Sequence, residues 1–209
     1  MVGLKASAIV QRNRIRGANV ILFVTGRVFL LLLFAAAAPV LAADADPAPG
    51  VRNFHPVNDH IYRGAQPSAE GFTSLSKLGV KMVIDLRRGS EHDRFEKGLV
   101  EHAGMRYVHF PLDGFEAPSD DQIAKLLALL DDSSGWPVFM HCKRGADRTG
   151  TVIACYRISH DHWVNQKALE EAELHGMRWT EVLMKRYVLS YRPAPPAKQA
   201  AAAATVSAH

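Results

Sequence analysis

Gly135–Ser159 reads GWPVFMHCKRGADRTGTVIACYRIS, and its apolar periodicity changes character twice. VFMHC has the composition of a buried strand and TGTVIACYRIS the pattern of a helix, with a loop from Cys142 to Arg148 between them. A strand passing through a short loop into a helix is half of an alternating unit, and the flanking sequence supplies the rest. Ser119, with Gln122 three positions later in capping-box spacing, opens a helix carrying Ile123, Leu126, Leu127 and Leu130 on one face. Before it come the strand-like MRYVHFPL from Met105 and a helix over Glu91–Ala103 that Gly104 stops. Farther upstream, VKMVIDLR from Val80 is another strand-like run, and Ser68 caps a short helix of Phe72, Leu75 and Leu78 ended by Gly79. Downstream, NQKALEEAELH from Asn165 is an amphipathic helix. The alternation predicts a single α/β domain whose central, mostly parallel sheet is flanked by helices. Ligands of such sheets bind beyond the carboxyl ends of the strands, where Cys142 stands.

The 209 residues, 48% apolar and 22% charged, suffice for one such domain with tails. Residues 1–43 are of another kind: Lys5, Arg12, Arg14, Arg16 and Arg27 with no acid, then VFLLLLFAAAAPVLA ending in small residues at Ala42 and Ala43. This is the layout of a secretory signal. An uncleaved anchor over Ala18–Ala43 is the other reading, because that stretch nearly reaches bilayer-spanning length. Either one sends the domain out, to the periplasm or the extracytoplasmic face of the membrane. Without those five cations, 20 basic face 21 acidic side chains, so the net charge falls from +4 to −1. The basic pI therefore carries no nucleic-acid implication, and no basic-aromatic stripe supplies one. Residues 44–50 read as a Pro/Ala linker, 51–192 as the domain and 193–209 as a disordered tail. A monomer is expected.

The loop HCKRGADR carries the chemistry. Between a strand end and a helix start, its backbone N–H groups can wrap around one point, which makes an anion cradle suited to phosphate. Gly145 permits the tight turn, and the loop backbone of Lys143, Arg144, Gly145, Ala146 and Asp147 forms the binding surface. Arg148 offers a planar fork for two phosphate oxygens. The same field of helix dipole and cations favours the thiolate of Cys142, below the range of about 8.5 for a free thiol. A nucleophile and an oxyanion clamp then converge on one phosphorus atom. Cysteine followed six positions on by arginine is a weak signal alone; His141, Gly145, Thr149-Gly150 and the strand-to-helix context make it specific.

His141-Cys142, five residues, then Arg148-Thr149 resembles the signature of the cysteine-based protein tyrosine phosphatase superfamily. IYRGAQP at Ile61–Pro67 and VIDLR at Val83–Arg87 are similar to its compact dual-specificity-like members. The resemblance covers about Phe54 to Tyr191. It implies attack by Cys142 on phosphorus, protonation of the leaving oxygen by a carboxylic acid, and hydrolysis of a phosphocysteine. It also implies that Thr149 assists the departing thiolate, that His141 helps keep Cys142 ionised, and that no cofactor or metal is needed.

The family draws its acid from a loop that is here FPLDGFEAPSDDQ. Asp113 is the first candidate because it follows a strand at the same sheet edge as Cys142, and Glu116 is the second. Asp120 and Asp121 suit the first turn of the following helix. Arg63 and Arg87 either edge the pocket or serve as solvated or paired surface charges, the commoner state of strand-end arginines. Asp85 interrupts an apolar strand and is expected to bond loop donors. His102, His109, His160, His162 and His175 have no metal-ligand spacing.

Lys143-Arg144 puts two cations near the cradle, more than one phosphate requires. The expected substrates are accordingly phosphotyrosine or phosphoserine/threonine proteins or, alternatively, inositol polyphosphates and phosphoinositides. A rhodanese-like sulfurtransferase, whose loop is normally one residue shorter, and an inactive phosphate-binding module are remote alternatives. Pairing of Cys142 with Cys155 is not expected, since two helical turns put their Cα atoms beyond about 7 Å. An exported thiolate nevertheless faces oxidation.

Overall fold

The computed structural model describes residues 46–195; the signal or anchor segment and most of the C-terminal tail lie outside the described residues. The strands are β1 (His55–Pro56), β2 (Ile61–Ala65), β3 (Met82–Asp85), β4 (Arg106–His109) and β5 (Val138–Cys142). They form one sheet in the order β1-β2-β5-β3-β4, parallel throughout except for the antiparallel edge pair β1–β2. The helices are α1 (Ala69–Lys77), α2 (Ser90–His102), α3 (Asp120–Asp131), α4 (Asp147–Ser159), α5 (Asn165–Leu174) and α6 (Val182–Ser190). Among the described residues no helix is long and apolar enough to cross a membrane.

Strand alternation divides the core. Val138, Met140 and Cys142 of β5 pack with residues of α3 to α6, while Phe139 between them packs with Phe72 and Leu75 of α1 and Val100 of α2. Two helices thus cover one face of the sheet and four the other. β5 lies in the middle of the sheet, which fixes the position of the loop that follows it.

The helix boundaries follow local chemistry. The Ser68 side chain accepts from the Gly71 amide, and Gly79 at φ +81° follows the end of α1. Ser119 and Gln122 close a reciprocal capping box on α3. The buried leucines of that helix are Leu126, Leu129 and Leu130; Leu127, expected among them, is only partly buried because the stripe drifts toward i+3. Ordered packing also begins before Val51. Ala48 is fully buried, and the Gly50 carbonyl accepts from the Ser68 amide at 3.0 Å, so the second half of the expected linker is a collar around α1.

Candidate active site

β5 delivers Cys142 and α4 begins at Asp147, leaving residues 143–146 to make the turn. The turn is clamped from outside by its carbonyls. Lys143 O accepts from the Gln66 amide, Arg144 O from Asn53 Nδ2 at 3.2 Å, and Gly145 O from Arg63 Nη2 at 2.9 Å and Asn53 Nδ2 at 3.3 Å. Across trans peptides this turns the amides of Arg144, Gly145 and Ala146 to the opposite side, toward the unpaired N–H groups that open α4. The result is a nest of donors able to hold an oxyanion. Gly145, at φ +68°, cannot be replaced without strain, because a Cβ there would lie 2.2 Å from the backbone carbon of Gly64.

Cys142, at the end of β5, is buried and not in a disulfide. Cys155 is also free, and burial pushes its thiol well up, which keeps it protonated and inert. Arg148 donates to Leu86 O at 3.2 Å and lines a cavity of about 610 Å³. The hydroxyl of Thr149 is buried without a hydrogen-bond partner.

Gln66, Arg87 and Arg88 line the same cavity, as do Asp113, Gly114 and Phe115 from the loop after β4, with Lys143 and Arg148 opposite. Glu116, the second candidate for the acid, is exposed and is not part of this lining. The Asp113 carboxylate accepts from the amides of Phe115 and Glu116 and pairs with Arg88, and these contacts hold it below the usual carboxylate range. Of the two cations expected beside the cradle, only Lys143 lines the cavity. Arg144 turns back onto Asp147 at 2.7 Å, and Asp147 also accepts from the Arg178 amide at 3.0 Å, so both side chains are engaged in holding the start of α4.

Neither Arg63, in the middle of β2, nor Arg87, just past the end of β3, is a solvated surface charge. Arg63 is 1% exposed and lies beneath the turn. Arg87 is half-buried and makes a bidentate contact with Asp85 while reaching Glu96 at 2.5 Å. Asp85 also accepts from Tyr107 Oη at 3.1 Å and from the Arg87 amide at 2.9 Å. Burial would raise the Asp85 carboxyl, but Arg87 and His141 outweigh it and keep the group below the usual carboxylate range. Asp85 thus bonds loop donors, as its place in the sequence indicated.

His141 belongs to this cluster rather than to the thiol. Its Nε2 lies 2.8 Å from Glu96 Oε1, out of line for a hydrogen bond, and its Nδ1 lies 3.4 Å from the backbone carbonyl of Cys142. Asp85, Glu96 and His141 offer three ligand atoms within 4.8 Å, yet Arg87 already neutralises both carboxylates, which leaves the set poorly suited to a cation. Glu96 and Asn53 were not singled out by sequence reasoning. Glu96 had a detectable signal, an acid four residues before the buried Val100 and hence on the apolar stripe of α2.

Sheet, turn and cavity together define a cysteine-based, tyrosine-phosphatase-like protein. Residues 50–188 match the family model described as DSP-PTPase phosphatase fused to NAD+ kinase, and the chain belongs to that family. It is 32% identical over 139 residues to dual specificity protein phosphatase TpbA of Pseudomonas aeruginosa (strain UCBPP-PA14), covering 66% of this chain and 60% of TpbA. It is 31% identical over 134 residues to inositol diphosphatase DSP5 of Arabidopsis thaliana, covering 62% of this chain and 65% of DSP5. The chain thus spans less than two thirds of either relative. The crystal structure of a cysteine-to-serine variant of P. aeruginosa TpbA in complex with pTyr is similar with a TM-score of 0.59 at 25% identity, covering 78% of this chain and 94% of that one. The core catalytic domain of the PP-IP phosphatase SIW14 from S. cerevisiae shares the fold, with a TM-score of 0.61 at 24% identity over 68% of this chain and 86% of that one.

Proposed function

We propose that the protein is an exported phosphatase that hydrolyses phosphomonoesters of phosphotyrosine- and phosphoserine/threonine-bearing proteins through a phosphocysteine intermediate. The observation that carries this reading is the convergence of Arg148 and Asp113 on one cavity at the strand end that delivers Cys142. In the first step Cys142 Sγ attacks phosphorus, the bond to the leaving oxygen breaks, and Asp113 gives that oxygen its proton. The turn amides and the Arg148 fork hold the equatorial oxygens. In the second step Asp113, now a carboxylate, takes a proton from water as its oxygen attacks phosphorus, and the S–P bond breaks. The unpartnered hydroxyl of Thr149 is free to donate to the departing thiolate. Phe115, 80% exposed at the cavity edge, offers a face to an aromatic phosphoester.

Arg88, Lys143 and Arg148 favour a second reading, an inositol polyphosphate or phosphoinositide as substrate, because even with the cavity's fourth cation, Arg87, bound to Asp85 and Glu96, the remaining three exceed the need of one phosphate. The test is phosphate release by the full chain, with chelator and reductant, from a phosphotyrosine peptide, a phosphoserine peptide and an inositol polyphosphate, beside Cys142→Ser. Release lost in the variant supports the phosphocysteine route, and the preferred substrate decides between the readings. No release from any substrate overturns both. Export is read from residues 1–43 and is checked by finding the chain outside the cytoplasmic fraction.

A further inference from the structure

We propose that Arg63 is a positioning residue for the nucleophile: from beneath the turn its Nη2 fixes the Gly145 carbonyl, and its buried charge supports the ionised form of Cys142. The inference rests on Cys142 being the nucleophile, but on no particular substrate. Register places the two side chains on one face of the sheet, since Arg63 pairs with Met140, and Ala65, two residues on, pairs with Cys142. The guanidinium reaches the first turn of α4, where Nη2 would lie 3.6 Å from a Cβ at Gly150. Only this nitrogen has a partner, Gly145 O at 2.9 Å; Nε and Nη1 are buried with none. Asn53 reaches the same carbonyl at 3.3 Å, so the bond alone does not account for burying a cation there.

A buried charge is expensive unless an opposite charge answers it. The charged groups that act on Arg63 are, after burial, Glu171 on α5, then Cys142 on β5 and Arg157 on α4, and Arg63 acts in turn on His55 and His175. Glu171 is already bound by Arg157 through Nε and Nη2, at 3.1 and 2.8 Å, and that arginine opposes Arg63. Cys142, once ionised, is the other negative charge that acts on Arg63, and it lies on the same face of the sheet. Burial lowers the guanidinium to about 10, so Arg63 remains a cation at neutral pH. An arginine retained for packing alone would have its remaining N–H groups bonded to carbonyls or carboxylates.

The test is the rate of iodoacetamide alkylation at Cys142 against pH, on the full chain, with Cys142→Ser as background for the buried Cys155. Arg63→Gln, which keeps a donor but no charge, and Arg63→Met, which keeps neither, are expected to move the half-maximal pH upward by roughly one unit. Arg63→Lys keeps the charge and is expected to stay within a few tenths of wild type. Should Arg63→Met fail to fold, the Gln and Lys variants still separate charge from packing. An unchanged midpoint in Arg63→Gln overturns the proposal, and so does a Lys variant that shifts as far as Gln. Alkylation needs no phosphoester, so a chain inactive on every substrate tested with the expected midpoints would refute the proposed function and leave this inference standing.

Discussion

In the proposed mechanism Asp113 gives up a proton, yet its carboxylate is held by two backbone amides and Arg88, all of which favour the charged form. On that reading, a bound phosphoester dianion would compete for Arg88 and set repulsion in place of that attraction, which would favour the protonated form of Asp113. Because the group is depressed in the free protein, kcat/KM should fall as pH rises through its value. Arg88→Gln should carry the falling limb to higher pH, while Asp113→Asn should remove the limb and lower kcat by about 10²- to 10⁴-fold. A pH–rate profile on a phosphotyrosine peptide checks both. Gly145→Ala is expected to lower kcat/KM at least about tenfold, because the added Cβ pushes the turn off Gly64 and misplaces the donors. Cys142 and Arg148 were legible because seven consecutive residues fix their geometry. Arg63 and Asn53 were not: the bonds that define them reach across 82 and 92 residues to Gly145.

Helices were most legible where capping is local. Ser68, Gly79, Gly104 and Ser119 mark ends that the chain adopts. Where packing decides, the pattern fades. α4 is buried on nearly every side, between the sheet and the helices α3, α5 and α6, so no polar stripe reveals which way it faces. β2 was not recognisable as a strand because IYRGA has little apolar alternation; its burial comes from lying between β1 and β5. Neither Ser119 nor Gln122 of the α3 capping box lines the cavity, so the box should affect stability alone. Ser119→Ala is expected to cost about 1 kcal/mol and to lower the melting temperature by about 3 °C, with kcat unchanged. A thermal melt beside an initial-rate assay reads both effects.

Beneath the turn after β5, β1 and the end of α5 meet at a cluster of basic groups. Asn53 Nδ2 donates to His175 O at 3.1 Å, His55 Nε2 lies 3.1 Å from Asn53 Oδ1, and the rings of His55 and His175 are 4.2 Å apart, with Arg63 close enough to act on both. Burial, then Arg63, then His55 lower His175 to about 4, from the usual 6.5. His55 is lowered by burial and Arg63. Both imidazoles are therefore neutral in the fold at pH 7, and on acidification the unfolded chain takes up their protons first. Their contribution is complete above about 6.5 and is lost as pH falls toward about 4. The depressed carboxyls Asp85, Asp113, Asp132 and Asp161 act in a lower window, since their stabilisation is present above 3.8 and declines only as pH falls below it. Asp131, raised by burial, adds stability as pH falls toward 3.8, so among the groups with a resolved shift the loss between about pH 6.5 and 4 belongs to the histidines. Screening at the partly exposed His175 ring limits its share to on the order of 1 kcal/mol. His175→Gln should flatten the urea-unfolding free energy between pH 6.5 and 4.5 by about that amount, leaving the decline below pH 4 in place; an equally steep loss in the variant would assign the acid sensitivity to another group.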